Sequence, residues 1–376
     1  MSCDGFFGKK TELDFIEKPD FQIRDIAYVP IQPVLNTFQR PVDILSGFDE
    51  LLYVVDEATE EIISLDESGR ELGRFHVQGV TSVAQDRRLN LLAIGTKTDT
   101  ISGLEYKLTC IYRIDLLGAN GYGINHAKIV NEIVHPFYYK ATFSGTDASV
   151  KFNRIGILED NRYYVSRTGL GSNQFDGPDD AILLFNQQDV FVSPVTIEVQ
   201  GGLDREYFKK PFGLTTTVQP PQISANGGND FLFTMISPDR SIKAGYIEFI
   251  ETEFGASYKP RVMPHNEDEA DNFLTYPNRF ESPQGLALAG DGTNHIFITD
   301  SKKDSLYLFS LNGNEGVKPP PGYSSTQYIN VSFGGKGEGL MNFNQPMGVA
   351  YKNKVVYVAD AGNGRVLRFK LTSDFD

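Results

Sequence analysis

Residues 343–369 read FNQPMGVAYKNKVVYVADAGNGRVLRF, and residues 280–309 read FESPQGLALAGDGTNHIFITDSKKDSLYLF. Each runs Phe, two residues, Pro, one residue, Gly, then an apolar run. Each continues to an Asp that closes a second apolar run, Asp300 or Asp360, and a third run opens at Leu306 or Val366. A chain that repeats one phrase builds one structural unit several times, and this constrains the fold more than any local propensity. The phrase recurs as FQRPVDIL from Phe38, as FKKPFGLT from Phe208, and in degenerate form as FNRIGIL from Phe152. VQGVTSVA at 77–84 supplies the remaining copy, with Val80 at the Pro position and Ser82 at the Gly position. The copies start near residues 41, 80, 155, 211, 283 and 346.

The same grammar follows each start. In the first copy PVDILS gives way to LLYVVD, EIISLD and ELGRFHV, each with the length and β-branched or aromatic content of a strand. The Asp closing the second strand (Asp56, Asp300, Asp360) can accept from backbone amides of the next turn. NG at 312–313 and DAGNG at 360–364 supply the positive φ of tight hairpins. The unit is a four-stranded antiparallel meander, which cannot bury both faces alone and must stack. Radially stacked units of this kind are propeller blades. The excess length is assigned to loops at 97–106, 115–127, 169–179, 217–229, 264–279 and 312–324.

The chain ends give an independent check. The last copy supplies strands near 346–351, 354–359 and 365–371 and lacks a fourth. FQIRDIAYV at 21–29 is a strand without a blade. Placing it on the outside of the last blade closes a ring and removes an open edge. The expected fold is all-β: a six-bladed β-propeller of four-stranded antiparallel blades over residues 21–376, with 1–20 as a tether.

Composition narrows the function. The chain of 376 residues is 40% hydrophobic and 12% aromatic, so it can fill a sizeable core. No stretch approaches the roughly 20 apolar residues of a membrane-spanning helix. A net charge of −14 and the absence of any Lys/Arg cluster argue against nucleic acid as a partner. Cys110, in the apolar run KLTCIYRID, reads as a small buried hydrophobe.

With FESPQGLAL…IFITD…LYLFSLNG and FGGKGEGLMNFNQPMGVAY…VVYVADAGNGRVLRF in view, the chain resembles the NHL-repeat family of β-propellers. WD-type and kelch blades lean on Trp, and this chain has none. Some relatives implied by the resemblance are enzymes: a lyase that cleaves peptidyl-hydroxyglycine, lactonases, and strictosidine-synthase-like proteins. These place metal or acid–base residues at the channel mouth. A metal site would need three convergent His or carboxylate ligands. His76, His126, His135, His265 and His295 show no repeated spacing, and no cofactor is expected. HNEDEADN at 265–272 lacks the pattern of a calcium loop, and SFGGKGEG at 332–339 lacks the Gly-Lys-Ser/Thr of a phosphate loop.

The residue before each Pro position forms an expected ring at the channel mouth: Arg40, Arg154, Lys210, Ser282 and Gln345, with Gly79 in the second blade. One step earlier stand Gln39, Asn153, Lys209, Glu281 and Asn344. From these, Arg40, Arg154, Lys209, Lys210, Glu281 and Gln345 are the candidate ligand-binding residues, suited to an anionic or polyhydroxylated ligand. The bland alternative pairs them with acidic loops. Cys3, before a short polar tether, resembles the lipidated start of NHL-type lipoproteins of Bacteroides-like bacteria. That resemblance implies an envelope location, with the membrane touched only through the lipid. The expected function is a monomeric, non-catalytic binding or scaffolding propeller for a protein, peptide or glycan. A metal-dependent lyase or lactone hydrolase is the competing class.

Overall fold

The computed structural model describes residues 26–119, 121–135, 143–170, 178–221, 228–253, 255–321 and 325–375. Cys3, the tether and the first part of the 21–29 segment lie outside these. Six sheets surround one axis. Their inner strands are Pro41–Ser46, Ser82–Gln85, Lys151–Ile157, Pro211–Thr216, Pro283–Leu288 and Pro346–Lys352, defining blades 1 to 6.

The hydrophobic core is a set of seams between neighbouring blades. Six apolar clusters fill them, one per seam. The seam between blades 6 and 1 joins Ala350, Tyr357 and Val366 to Ile44, Leu52 and Ile63. Because each blade is covered on both faces, its second strand is buried throughout, as in Leu52–Asp56, Phe231–Met235 and Ile296–Asp300. These strands accordingly read as apolar runs with polar residues confined to their last two positions. Outer strands such as Glu71–His76 face water and carry charge.

Ring closure follows the expectation. Tyr28–Pro30 pairs antiparallel with Arg365–Leu371, with Tyr28 opposite Leu371 and Pro30 opposite Phe369. Ala27 N donates to Thr372 Oγ1 at 3.1 Å and Ile31 N to Arg368 O at 2.8 Å. Ile26 and Tyr28 are buried in the seam of blades 5 and 6.

The terminal Asp of the second strand does more than cap its own turn. Asp300 accepts from Lys302 N and Lys303 N, and also from Glu281 N at 2.6 Å and Ser282 N at 3.0 Å across the ladder. Asp56 holds Gln39 N and Arg40 N in the same way, at 2.7 and 3.0 Å. Asp360 holds Asn344 N at 2.7 Å. The acid therefore clamps the start of its own blade's phrase, whose Phe (Phe38, Phe280, Phe343) is buried.

Three departures have physical causes. Residues 97–106, read as a loop, continue a ladder: Leu91–Ile101 pairs with Leu104–Asp115 out to Ile101 opposite Leu104. Alternating threonines (Thr96, Thr98, Thr100) keep strand geometry there without an apolar face. Blade 4 carries six strands, because the hairpin Ile197–Val199 and Gly202–Asp204 adds to its outer edge through a parallel bridge from Ile197 to Tyr258. The third phrase is read three residues out of register. Arg154 N donates to Ser166 Oγ at 2.9 Å, as Gly213 N does to Thr234 Oγ1 at 2.9 Å and Gly285 N to Thr299 Oγ1 at 3.2 Å. Arg154 thus occupies the Gly position of the phrase, and Phe152 the Pro position.

Candidate functional site

The phrase positions the channel mouth, but through a different residue from the one expected. The side chains that ring the mouth are those between Pro and Gly: Val42, Thr81, Asn153, Phe212, Gln284 and Met347, one per blade. They line a cavity of about 370 Å³. Half the ring is apolar and half is neutral and polar, one hydroxyl and two amides.

The residue at the Gly position decides how closely the inner strands approach. At Gly348 a Cβ would stand 2.8 Å from Asp43 Cα, so blades 6 and 1 meet there only with glycine. In blades 1, 2 and 3 that position holds Asp43, Ser82 and Arg154, and their side chains fill the axis together. Asp43 Oδ2 accepts from Ser82 Oγ at 2.7 Å and Val83 N at 3.2 Å. Arg154, 7% exposed, donates to Asn153 O at 3.0 Å, Val42 O at 3.2 Å, Met347 O at 3.2 Å and Thr81 O at 3.4 Å. Its Nε lies 3.6 Å from Asp43 Oδ1, and its guanidinium carbon lies 5.0 Å from the Phe212 ring centre. One side chain therefore touches blades 1, 2, 4 and 6 from blade 3. It forms a floor: the mouth cavity lies on one side, and on the other a second chamber is lined by Ser46, Phe48, Gln85, Gln219 and Tyr351.

Of the candidate ligand-binding residues, Arg154 alone lines the mouth cavity, and its donors are committed to backbone carbonyls. Arg40 Nε pairs with Glu57 at 2.8 Å, both side chains being well exposed. Lys209 pairs with Glu206 at 3.0 Å, and Lys302 with Glu281 at 3.3 Å. Such exposed pairs contribute roughly 0–1 kcal/mol. Lys210 and Gln345 sit in left-handed backbone, φ 48° and 56°, with their amides held by Asp180 and Asp304. The expected ring is thus a rim of surface turns. The true ring was signalled by the one position in the phrase that varies between two fixed residues.

The mouth is walled on one side. The long hairpin of blade 2 rises there, with Tyr106 packed on Phe143 at 4.6 Å between ring centres. A 3₁₀ turn, Gly145–Ser149, follows Phe143 and is capped by Ser144, whose amide donates to Asp147 Oδ2 at 2.9 Å. Asp147, fully buried, lies 3.8 Å from His135 Nε2. Burial, and then the charge of Arg167, lower the His135 pKa to about 4, with Asp147 opposing them. Ala148, Val150, Thr96 and Thr109 face the cavity from this wall. Thr109 Oγ1 accepts from Phe152 N at 3.2 Å, which ties blade 2 to blade 3. Lys107 and Lys151 stand at its edge, exposed.

Among the described residues, no three His, Cys, Asp or Glu side chains lie together as a metal site would require. The histidines are dispersed: His76 is beside Glu60, His135 is buried in blade 2, His265 is stacked on Phe273, and His295 is in blade 5. The acidic stretch 265–272 is spent on the neighbouring insertion, where Glu269 accepts from Asn314 at 3.0 Å and Asp271 from Gln327 at 2.8 Å. Cys110 is buried and its thiol is pushed up to about 12, chiefly by burial, so it is chemically quiet. Among the described residues, no helix is long and apolar enough to cross a membrane.

The NHL-repeat family model matches residues 343–369, the whole sixth phrase and its two following strands. No curated protein matches the chain. Among solved structures, the PQQ-bound aldose sugar dehydrogenase of Streptomyces coelicolor is 13% identical with a TM-score of 0.55, covering 92% of this chain and 98% of its own. Two auxiliary nutrient binding proteins are also similar. The one from Bacteroides thetaiotaomicron is 10% identical with a TM-score of 0.52, over 92% of this chain and 76% of its own. The one from Bacteroides ovatus is 11% identical with a TM-score of 0.50, over 92% and 72%. Identities this low speak for the fold and leave the site to its own residues. On the ring and these neighbours together, the chain folds as a six-bladed β-propeller whose sixth phrase matches the NHL-repeat model.

Proposed function

We propose that this protein is a non-catalytic binding propeller that seats a small hydroxyl-rich molecule, or the end of a larger glycan or peptide, in the walled channel mouth. The observation that carries the reading is the blind cavity itself. Its floor is a guanidinium whose two terminal nitrogens are bonded to backbone carbonyls, and its ring combines three apolar side chains with three neutral hydrogen-bonding ones. At about 370 Å³ it falls at the small end of the size range of ligand sites, roughly 300–1,000 Å³. Two fold neighbours are named as nutrient binding proteins, which supports a binding role, and one is named as an enzyme, the aldose sugar dehydrogenase. The test is a thermal-shift screen of sugars and short peptides against the parent protein and Phe212→Ala. A ligand at 100 times its Kd stabilises by about 2.7 kcal/mol, and the variant should lose that shift. A shift that survives Phe212→Ala places the ligand elsewhere and refutes the reading.

The same proposal includes attachment to the bacterial envelope through lipid on Cys3, supported by the Bacteroides origin of two neighbours and by the resemblance of the N-terminal residues. Metabolic labelling with a palmitate analogue should mark the protein and fail on Cys3→Ala. An unlabelled parent protein would refute it.

A further inference from the structure

We infer that the mouth is built for a carboxylated sugar, a uronic acid unit either free or at the end of an acidic glycan. This rests on the binding reading above and adds the charge of the ligand to it.

The inference comes from how charge is distributed around the cavity in a chain of net −14. Four ionisable side chains line it: Glu57, Lys107, Lys151 and Arg154. Glu57 is engaged by Arg40 at 2.8 Å. Arg154 faces Asp43 as its counter-charge, and its two terminal nitrogens are bonded to carbonyls. Lys107 and Lys151 have no carboxylate within ion-pair distance among the described residues, although both are long, exposed side chains that pair readily where an acid is at hand. Other lysines on this protein do pair: Lys97 with Glu132, Lys209 with Glu206, Lys302 with Glu281 and Lys259 with Glu198.

The two free ammonium groups also belong to one wall. Lys107 and Thr109 are two apart on one strand and share a face. Lys151 precedes Phe152, whose amide donates to that same Thr109. Two ammonium groups lining one cavity, with no carboxylate paired to either among the described residues, leave an incoming anion unopposed by protein acids. A carboxylate between them would leave the body of the ligand over Phe212 and Met347, with Thr81, Asn153 and Gln284 in reach of hydroxyl groups. A simple anion would use the lysines and leave the ring idle. A neutral sugar would use the ring and leave the lysines idle. A uronic acid uses both.

The experiment is calorimetric titration of the full chain with glucuronate and galacturonate. Glucose and galactose serve as neutral twins, acetate as the bare carboxylate, and a short oligogalacturonate as the glycan end. Each is repeated on Lys107→Gln/Lys151→Gln and on Phe212→Ala. The expected result is that a uronate binds roughly tenfold more tightly than its neutral twin, as two exposed ion pairs allow. That advantage should disappear in the double lysine variant and shrink at high salt. Oligogalacturonate bound more tightly than the monomer would identify a glycan end as the source, and the reverse would identify the free sugar. Equal binding of uronate and neutral twin, lost in Phe212→Ala, overturns the acidic ligand and keeps the mouth as a binding site. Acetate binding as well as uronate overturns the sugar. Uronate binding untouched by Phe212→Ala overturns the mouth site and this inference with it.

Discussion

Replacing Arg154 by methionine tests the central feature of this ring. The guanidinium donates four hydrogen bonds of 3.0–3.4 Å to carbonyls on four blades and stands 3.6 Å from Asp43. Long bonds from a charged donor contribute about 0.5–1 kcal/mol each, so their loss removes about 2–4 kcal/mol. Asp43, 6% exposed, would keep Ser82 and two backbone amides as donors but lose the counter-charge that Arg154 supplies. Removing one partner of a buried pair costs about 3–5 kcal/mol, and water entering from the mouth offsets part of that. The two routes agree on about 3–4 kcal/mol. In a ring of this size that corresponds to a fall in Tm of roughly 4–5 °C. Adding Asp43→Asn should restore about 2 kcal/mol, because the second substitution removes the stranded charge. Urea and thermal denaturation of the parent, both singles and the double complete the cycle. An Arg154→Met protein within about 0.5 kcal/mol of the parent would refute the reasoning, as would a double variant no more stable than that single.

Three further outcomes are expected. Tyr28→Ala should cost about 3–5 kcal/mol by denaturation, because a buried aromatic leaves the closing strand, and an unchanged midpoint would deny that this strand holds the ring. Asp300→Ala strands the amides of Glu281, Ser282, Lys302 and Lys303 and should cost about 2–4 kcal/mol, whereas a substitution at the exposed Glu206 should cost under 1. His135 titrates near 4 in the folded protein and near 6.5 when unfolded, so the unfolded chain binds the proton first. Its contribution is complete above pH 6.5 and is lost as pH falls toward 4. His135→Gln should therefore flatten the loss of stability across that window, and an unaltered pH profile would contradict its burial as a neutral ring.

The architecture was legible because the phrase records packing constraints directly. Pro and Gly mark where inner strands start and touch, and the Asp of each second strand marks the clamp. The missing fourth strand of blade 6 and the unclaimed strand before blade 1 gave the closure by simple accounting. The site was harder to read. Blade 3 carries neither the Pro nor the Gly of the phrase, so FNRIGIL could be aligned only by its Phe. That Phe fills the Pro position, and a slip of three residues moved Arg154 from the axis to the rim. In blades 4 and 6, a left-handed residue before the strand turns the following side chain toward the channel, and Lys210 and Gln345 pay no visible mark of this in composition. The polar ladder at 97–106 was missed because threonines alternating with charged and apolar residues look alike in a loop and in a projecting hairpin.

Ring closure also orders events in time. Ala27 and Thr372 are hydrogen-bonded partners 345 positions apart, so the first strand has no mate until the last one has been made. During synthesis blades 1 to 5 can stack one upon another, while two seams, those flanking blade 6, stay open to water. Contacts of such separation form slowly, since a long loop must close before they return anything. The propeller is thus completed only after its C-terminal strand leaves the ribosome, and until then it is a curved stack with two sticky faces. The chaperone demand of this chain should fall on that interval.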